Sequence, residues 1–161
     1  MSPRGRALPY PHLHLTSRVL LSILKDMRPT TDLHTRLGAG PPAGALQVTI
    51  FIPSVDHGGA EIDQQRWRDE TLRVLGVLFR GATAFPPGRG VWRNDVTGEL
   101  VFDDTVMVTC YLPEEALNDA TLRTLRAHLH RLGRETHQGE VGIVIGNRYY
   151  GITTFDEGED R

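Results

Sequence analysis

Apolar and polar residues alternate along three stretches in the last two-thirds of the chain, a pattern typical of half-buried β-strands. The stretches are residues 46–52, 99–112 and 140–145, and Pro53 ends the first of them. Residues 88–93 precede a turn at residues 94–98, and residues 148–153 follow the Gly146-Asn147 turn. The pattern therefore predicts one strand near residue 50, a central hairpin and a C-terminal hairpin.

Two segments between these strands have apolar residues at helical spacing. The first is Ile62–Phe79, with Asp63 as an N-cap and Gly81 after its end. The second begins at Glu114 or Asp119 and is expected to stop at Gly133. Its predicted buried seam consists of Leu122, Leu125, Leu129 and Leu132.

The order strand, helix, strand, strand, helix, strand predicts an α+β fold, a ferredoxin-like βαββαβ sandwich. We expect an antiparallel sheet with both helices on one face and a C-terminal hairpin. The open face of that sheet would carry Thr49, Phe51, Met107, Thr109 and Tyr111.

The chain divides into three parts by composition. Residues 1–45 are interrupted by prolines and glycines, with one possible helix at Leu15–Met27 and a linker at Gly38–Gly44. They are interpreted as a flexible extension, or as the product of a start assigned too early with Met27 as the true start; a targeting segment is the alternative. Residues 46–154 form the predicted domain, and residues 155–161 form an acidic tail expected to fray from Asp156 onward.

Composition narrows the classes of protein. The chain has 161 residues, 39% hydrophobic and 24% charged, with a net charge of −2. These values exclude a disordered chain and a membrane protein, and give no overall attraction to nucleic acid or lipid. A lone cysteine, Cys110, favours a reducing compartment, so we expect a cytoplasmic protein. Lys25 is the sole lysine beside many arginines, which favours a bacterial source with a GC-rich genome.

No established catalytic motif is present in the sequence. His128 and His130 are two residues apart on a helix, so they face different sides and cannot share a metal ion. We expect histidines at the surface or at helix edges, no metal and no cofactor. Cys110 lies on the aliphatic side of its strand and is interpreted as a buried hydrophobic residue. Catalytic residues stay unassigned.

Two clusters are candidates for binding. Along the second helix a basic stripe, defined by Arg123, Arg126, His130 and Arg134, could hold phosphates or an acidic partner, or simply face solvent. Around the first hairpin, a pocket or an interface could form from Thr83, Arg89, Trp92, Arg93 and Tyr111, with Phe85 nearby. The alternative for this second cluster is that Trp92 only covers the end of the core.

The sequence Arg80-Gly-Ala-Thr-Ala84, then Gly90-Val-Trp92, then Cys110-Tyr111 resembles small bacterial ferredoxin-like proteins of no established activity. The resemblance covers residues 46–152. It implies the ferredoxin-like fold and a homodimer formed through the open sheet face, and it implies nothing about mechanism.

Three functional hypotheses follow. The leading one is a non-catalytic binding or interaction module, homodimeric through the open face, with a protein or small molecule as a further partner and no membrane. The second is a small-molecule enzyme of the dimeric α+β-barrel type with its site near Trp92. The third is nucleic-acid binding through the basic stripe.

Overall fold

The computed structural model describes residues 33–40, 44, 46–94 and 97–157. The chain divides into two compact units, residues 1–40 and 41–161. In the first unit, a short helix α1 occupies Leu33–Leu37. The helix expected at Leu15–Met27 lies outside the described residues, as does part of the expected linker.

The second unit contains six strands, two long helices and one turn of 3-10 helix within its described residues. Strand β1 is Leu46–Ile52, helix α2 is Gln64–Phe79, and a two-residue strand β2 is Thr83–Ala84. They are followed by β3 (Gly88–Arg93), β4 (Leu100–Leu112), the 3-10 turn (Glu114–Ala116), α3 (Asp119–Glu135), β5 (Val141–Ile145) and β6 (Arg148–Ile152).

The six strands form one sheet in the order β2-β4-β1-β5-β6, with β3 paired to the outer half of β4. Every pairing is antiparallel. The prediction of an α+β protein with an antiparallel sheet is confirmed. Strand β2 was not predicted, because two residues are too few to show an alternation. It pairs Thr83 with Thr109 and Ala84 with Val108.

The hydrophobic core lies between one sheet face and the two long helices. The strands contribute the aliphatic residues predicted by the alternation, and Val48, Ile50 and Val108 are fully buried. The helices contribute Trp67, Leu75, Leu125, Leu129 and Leu132. Burying these side chains is the main stabilising contribution, at roughly 25 cal/mol for each Å² of apolar surface removed from water.

The helix ends follow the local sequence, with one exception. Asp63 caps α2 as expected, since its carboxylate accepts a hydrogen bond from the Arg66 amide. At the other helix, Asn118 and Thr121 form a capping box. The predicted end at Gly133 is wrong, because α3 continues to Glu135 with Gly133 buried inside it.

The missing side chain of Gly133 leaves room for another segment of the chain. The ring of Phe155 occupies the space that a Cβ at position 133 would fill. That ring also contacts His130 edge-on, at a centroid distance of 6.1 Å. The segment beginning at Phe155 is thus packed on α3. The prediction that the tail frays from Asp156 onward is wrong for Asp156 itself, because Arg126 and Arg134 of α3 bind it.

The predicted seam of α3 is correct for three of its four leucines. Leu125, Leu129 and Leu132 are buried, whereas Leu122 is 41% exposed. Leu122 lies in the first turn of α3 and does not belong to the core cluster. In the described part of the chain, no helix is long and apolar enough to cross a membrane.

The open face of the sheet carries the residues that the alternation placed there. Thr49 faces Thr109 across the strands, and their hydroxyl oxygens are 2.8 Å apart. Phe51 faces Met107 and also contacts the ring of Tyr149, with centroids 6.3 Å apart. The Tyr149 hydroxyl donates to Glu140. Burial, together with this carboxylate, raises the pKa of Tyr149 to about 12.

The two helical glycines make a matched test of the Phe155 contact. We expect Gly133→Ala to destabilise the protein by about 1–3 kcal/mol, because the new methyl group overlaps the Phe155 ring. Gly76→Ala is the control: a Cβ there meets nothing within 4 Å, so the better helix propensity of alanine should stabilise by up to about 1 kcal/mol. Urea unfolding of both variants measures the difference, and equal stabilisation of both would contradict the docking of Phe155.

Candidate functional site

A cleft opens where β1 ends and the chain turns toward α2. Its volume is about 430 Å³. We call it the acidic cleft, and its lining residues are Ser54, Val55, Glu61, Ile62, Gln64, Arg89, Phe102, Asp103 and Asp104. Pro53 ends β1 beside it, and a bridge between Val55 and Glu61 closes the following loop. The cleft is therefore built from the end of one strand, one loop and the start of a helix.

Asp103 is the fixed carboxylate of the cleft. It is 8% exposed, although it lies on a strand near the surface. Its Oδ1 accepts hydrogen bonds from the Ser54 amide at 2.9 Å and from the Ser54 hydroxyl, and its Oδ2 accepts one from the Thr105 hydroxyl at 2.8 Å. These bonds compensate the cost of burying the group and hold it in one orientation.

Gln64, the first residue of α2, connects the two strands that border the cleft. Its side-chain Nε2 donates to the backbone oxygen of Ile52 at 2.9 Å and to that of Asp104 at 2.7 Å. Both amide hydrogens are thus used by backbone carbonyls. The start of the helix, the end of β1 and the middle of β4 are consequently tied together at one side chain.

The cleft carries an excess of negative charge. Glu61, Asp103 and Asp104 contribute three carboxylates, and Arg89 contributes the one guanidinium among the lining residues. Arg89 donates to Asp104 at 3.1 Å, and its Cζ lies 5.4 Å from the centroid of the Phe102 ring. An aromatic face beside carboxylates is a favourable environment for a cation. The arrangement is suited to a small cationic or hydroxyl-bearing molecule.

The structure divides the five predicted ligand or interface residues between two regions: three lie on β3, and Thr83 pairs with Thr109, two residues from Tyr111. Arg89 lines the acidic cleft. Trp92 and Arg93 are further along β3, and Thr83 is on β2. Tyr111 is near the opposite end of β4, ten positions beyond Val101, the partner of Trp92. Because each strand residue adds about 3.3 Å, a separation of ten positions places Trp92 and Tyr111 in different regions of the sheet.

The alternative interpretation, that Trp92 covers the end of the core, is wrong. Trp92 is 45% exposed and does not belong to the core cluster. Its neighbours on the β3–β4 hairpin, Val91, Leu100 and Phe102, are more than half exposed. The hairpin extends beyond the region covered by the helices, so its apolar residues stay on the surface.

Sequence reasoning missed most of the acidic cleft. Asp103 and Asp104 did give a signal, because two adjacent carboxylates are unusual inside a strand. Adjacent strand residues face opposite sides of a sheet, so where one side is covered such a pair suggests a partner for the inner carboxylate. Ser54 and Gln64 gave no signal, since their roles depend on which strand end lies next to them.

The predicted basic stripe on α3 is largely engaged by the chain itself. Arg126 makes an ion pair with the Asp156 carboxylate, and Arg134 donates to the Asp156 backbone oxygen. The Asp156 amide donates to Nδ1 of His130 at 2.9 Å. The hydrogen bond from Arg126 lowers the pKa of Asp156. Among the described residues, Arg123 is the one member of the stripe with no hydrogen bond or ion pair to Asp156.

His128 and His130 are both buried, at 4% and 5% exposure, so their expected surface position is wrong. The prediction that they face different sides is correct. His128 lies toward α2, where its Nε2 is 2.8 Å from the Thr71 hydroxyl, and His130 lies toward the Phe155 segment. A helix covered on two sides buries residues on both.

The environment of His128 opposes its protonation. Burial is the main cause, the nearby Arg131 adds to it and Glu70 partly offsets it, so the pKa of His128 is lowered to about 4. Its Nδ1 is buried and has no hydrogen-bond partner. A protonated ring would place a charge between the helices with one nitrogen unsatisfied.

The prediction for Cys110 is confirmed. Cys110 is 3% exposed, and burial raises the pKa of its thiol to about 11. A thiol with that pKa is a poor nucleophile at neutral pH. Among the described residues, no group of three or more His, Cys, Asp or Glu side chains is arranged to hold a metal ion.

Two solved structures have a fold similar to that of this chain. The chain is similar to a phage SAM lyase in complex with S-methyl-5'-thioadenosine, with 18% identity and a TM-score of 0.54, over 71% of this chain and 94% of that chain. It is also similar to a phage SAM lyase in the apo state, with 19% identity and a TM-score of 0.51, over 74% of this chain and 97% of that chain. No family model matches the chain, and no curated protein matches it.

These neighbours correct the leading functional hypothesis. Both are structures of an enzyme, and they match this chain along nearly their whole length. The expectation of a non-catalytic interaction module is therefore wrong, because the fold is one that carries catalysis. The alternative hypothesis, an enzyme acting on a small molecule, agrees better with the similarity.

The low pKa of His128 predicts a dependence of stability on pH. The folded-state pKa is about 4 and the unfolded value is 6.5, so the unfolded chain binds the proton first as the pH falls. The stabilising contribution is complete above pH 6.5 and is lost as the pH falls toward 4, at a cost of roughly 3 kcal/mol. Urea unfolding across this pH range measures it.

His128→Gln is the matched variant for that titration. Glutamine retains an amide that can reach Thr71 but has no group that titrates between pH 4 and 7. The unfolding free energy of the variant should change less over this range than that of the parent protein. Equal slopes for the two proteins would assign the pH dependence to other groups.

Proposed function

We propose that this protein is a small-molecule enzyme, a lyase that binds and cleaves S-adenosylmethionine at the acidic cleft. The carrying observation is the charge and composition of that cleft: three carboxylates, one guanidinium and an aromatic ring. The similarity of the fold to a phage SAM lyase supports the choice of substrate.

The substrate and the cleft are complementary in charge. S-adenosylmethionine at neutral pH carries a sulfonium, an ammonium and a carboxylate, a net positive charge. The carboxylates of Glu61, Asp103 and Asp104 attract the two cationic centres, and the Phe102 ring, over which Arg89 lies, adds an aromatic wall. Arg89 is positioned to pair with the substrate carboxylate in exchange for Asp104.

The same carboxylates suit the chemical step. Cleavage breaks a carbon–sulfur bond, and its electron pair goes to sulfur, which leaves as the neutral thioether S-methyl-5'-thioadenosine. The substrate's own carboxylate oxygen attacks the carbon that loses sulfur and closes a five-membered lactone, so a new carbon–oxygen bond replaces the broken carbon–sulfur bond and no water is used. Positive charge moves from sulfur toward carbon in the transition state, and fixed carboxylates near that carbon stabilise it. Asp103, held by Ser54 and Thr105, is preorganised for this role.

We also infer that the fold is a ferredoxin-like sandwich with additions. The pairing of β1 with β4 and β5, and the position of α2 and α3 on one face, support this topology. Strand β6 is then an addition at one edge of the sheet. At the other edge, β2 and β3 together occupy the place of a single strand beside β4.

The proposed activity is tested by incubating the purified full chain with S-adenosylmethionine and measuring S-methyl-5'-thioadenosine by mass spectrometry. We expect time-dependent release of the thioether. Glu61→Gln should weaken S-adenosylmethionine binding roughly fivefold, because it removes one exposed charge interaction worth about 1 kcal/mol. Isothermal titration calorimetry gives the Kd.

Glu114→Gln is the control, since it removes an exposed carboxylate from the 3-10 turn outside the cleft. It should leave the Kd unchanged. The proposal fails if the chain neither binds nor cleaves S-adenosylmethionine, or if both variants weaken binding equally, because the second result would indicate attraction by net charge alone.

A further inference from the structure

A second cleft of about 420 Å³ lies next to the acidic cleft. We call it the proline cleft. Its apolar lining includes Leu72 of α2, Ala84 of β2, Val106 of β4 and the adjacent Pro86 and Pro87. It combines flat proline rings and aliphatic groups with one ion pair, between Arg68 and Asp69, so in contrast to the acidic cleft its lining has no net charge. It lies between the first turns of α2 and the edge of the sheet.

The two clefts meet at one residue. Gln64 lines both of them. Because its amide hydrogens are bound by the carbonyls of Ile52 and Asp104, the Gln64 side chain is fixed and the junction is preformed. A single elongated ligand can therefore place one end on either side of Gln64.

We propose that the proline cleft binds the adenine base of an adenosine-containing ligand, whose charged end lies in the acidic cleft. This inference rests on the proposed function and assigns a second part of its site. S-adenosylmethionine has the same division as the two clefts: a flat, uncharged base at one end and a charged amino-acid sulfonium at the other.

The chemistry of each cleft fixes the direction of the ligand. A purine is bound by flat apolar surfaces, which Pro86, Pro87 and Leu72 supply. At the mouth of the cleft, Gln65 carries an amide, the group that pairs with N6 and N7 of adenine through one donor and one acceptor. The opposite direction would place the sulfonium against Leu72 and the prolines, where the single carboxylate of the lining, Asp69, is already paired with Arg68, so the loss of hydration would be poorly compensated.

Two half-ligands separate the clefts experimentally. S-methyl-5'-thioadenosine carries the adenine without a charge, and S-methylmethionine carries the sulfonium amino acid without the adenine. Ala84→Leu adds side-chain atoms into the proline cleft, and Gln65→Leu removes the amide at its mouth. We expect each substitution to weaken binding of S-methyl-5'-thioadenosine by about tenfold or more, and to leave binding of S-methylmethionine within twofold.

Matched controls are available in the same chain. Gln47→Leu removes a glutamine amide from the open sheet face, and Ala127→Leu enlarges an exposed alanine of α3. Neither should change the binding of either half-ligand, and thermal unfolding verifies that all four variants fold.

The outcomes distinguish this inference from the proposed function. If the parent chain binds S-adenosylmethionine and S-methyl-5'-thioadenosine, and both cleft variants bind S-methyl-5'-thioadenosine within twofold of the parent, the base is bound elsewhere and the inference is wrong while the proposed function stands. If the parent chain binds neither compound, the proposed function fails and this inference fails with it. Selective loss of the adenine half-ligand in both variants supports the assignment.

Discussion

The antiparallel pairing of β1 with β4 determines the arrangement of the rest of the structure. Seven consecutive residues of β1, from Leu46 to Ile52, pair with the second half of β4 in one register, from Leu112 back to Val106. Because side chains alternate along a strand, this register sends the same set of aliphatic residues toward the helices on both strands. A shift by one position would turn those residues to the open face and expose them to water.

The acidic cleft exists because β1 ends before β4 does. Beyond Val106, where β1 has ended at Pro53, the residues from Thr105 to Leu100 keep a strand partner, β3, on the other side of β4 only. The departing β1 chain leaves a gap at this point, and the inner carboxylate of Asp103 binds Ser54 within it. Gln64 then joins the start of α2 to the same place. Binding chemistry and the geometry of strand pairing therefore meet in one location, which is where a rigid site is most easily built.

Helix α3 shows how a second covering layer changes the character of a surface. One side of α3 packs on α2, where Thr71 and His128 form a buried polar pair. The adjacent side is covered by the segment containing Phe155 and Asp156, which engages His130 and Arg126. The side of α3 that is basic in the sequence is, in the folded chain, the surface that binds an acidic segment 22 to 30 residues away. The charge of a helix face thus gives its affinity for anions but not the identity of the anion.

Local chemistry determined the elements of this protein. The alternation in residues 46–52, the cap at Asp63, the Gly146-Asn147 turn and the helical spacing of Leu125, Leu129 and Leu132 are all short-range patterns. They were sufficient to predict both long helices, five of the six described strands and most of the inward-facing residues. Tertiary structure decided everything that depends on contacts between distant positions: the persistence of α3 through Gly133, the burial of both histidines of α3, and the meeting of Ser54 with Asp103. The physical reason is that burial and hydrogen bonding of a polar side chain depend on which strand end or chain segment lies beside it, and residues 49 positions apart carry no shared pattern that identifies them as neighbours.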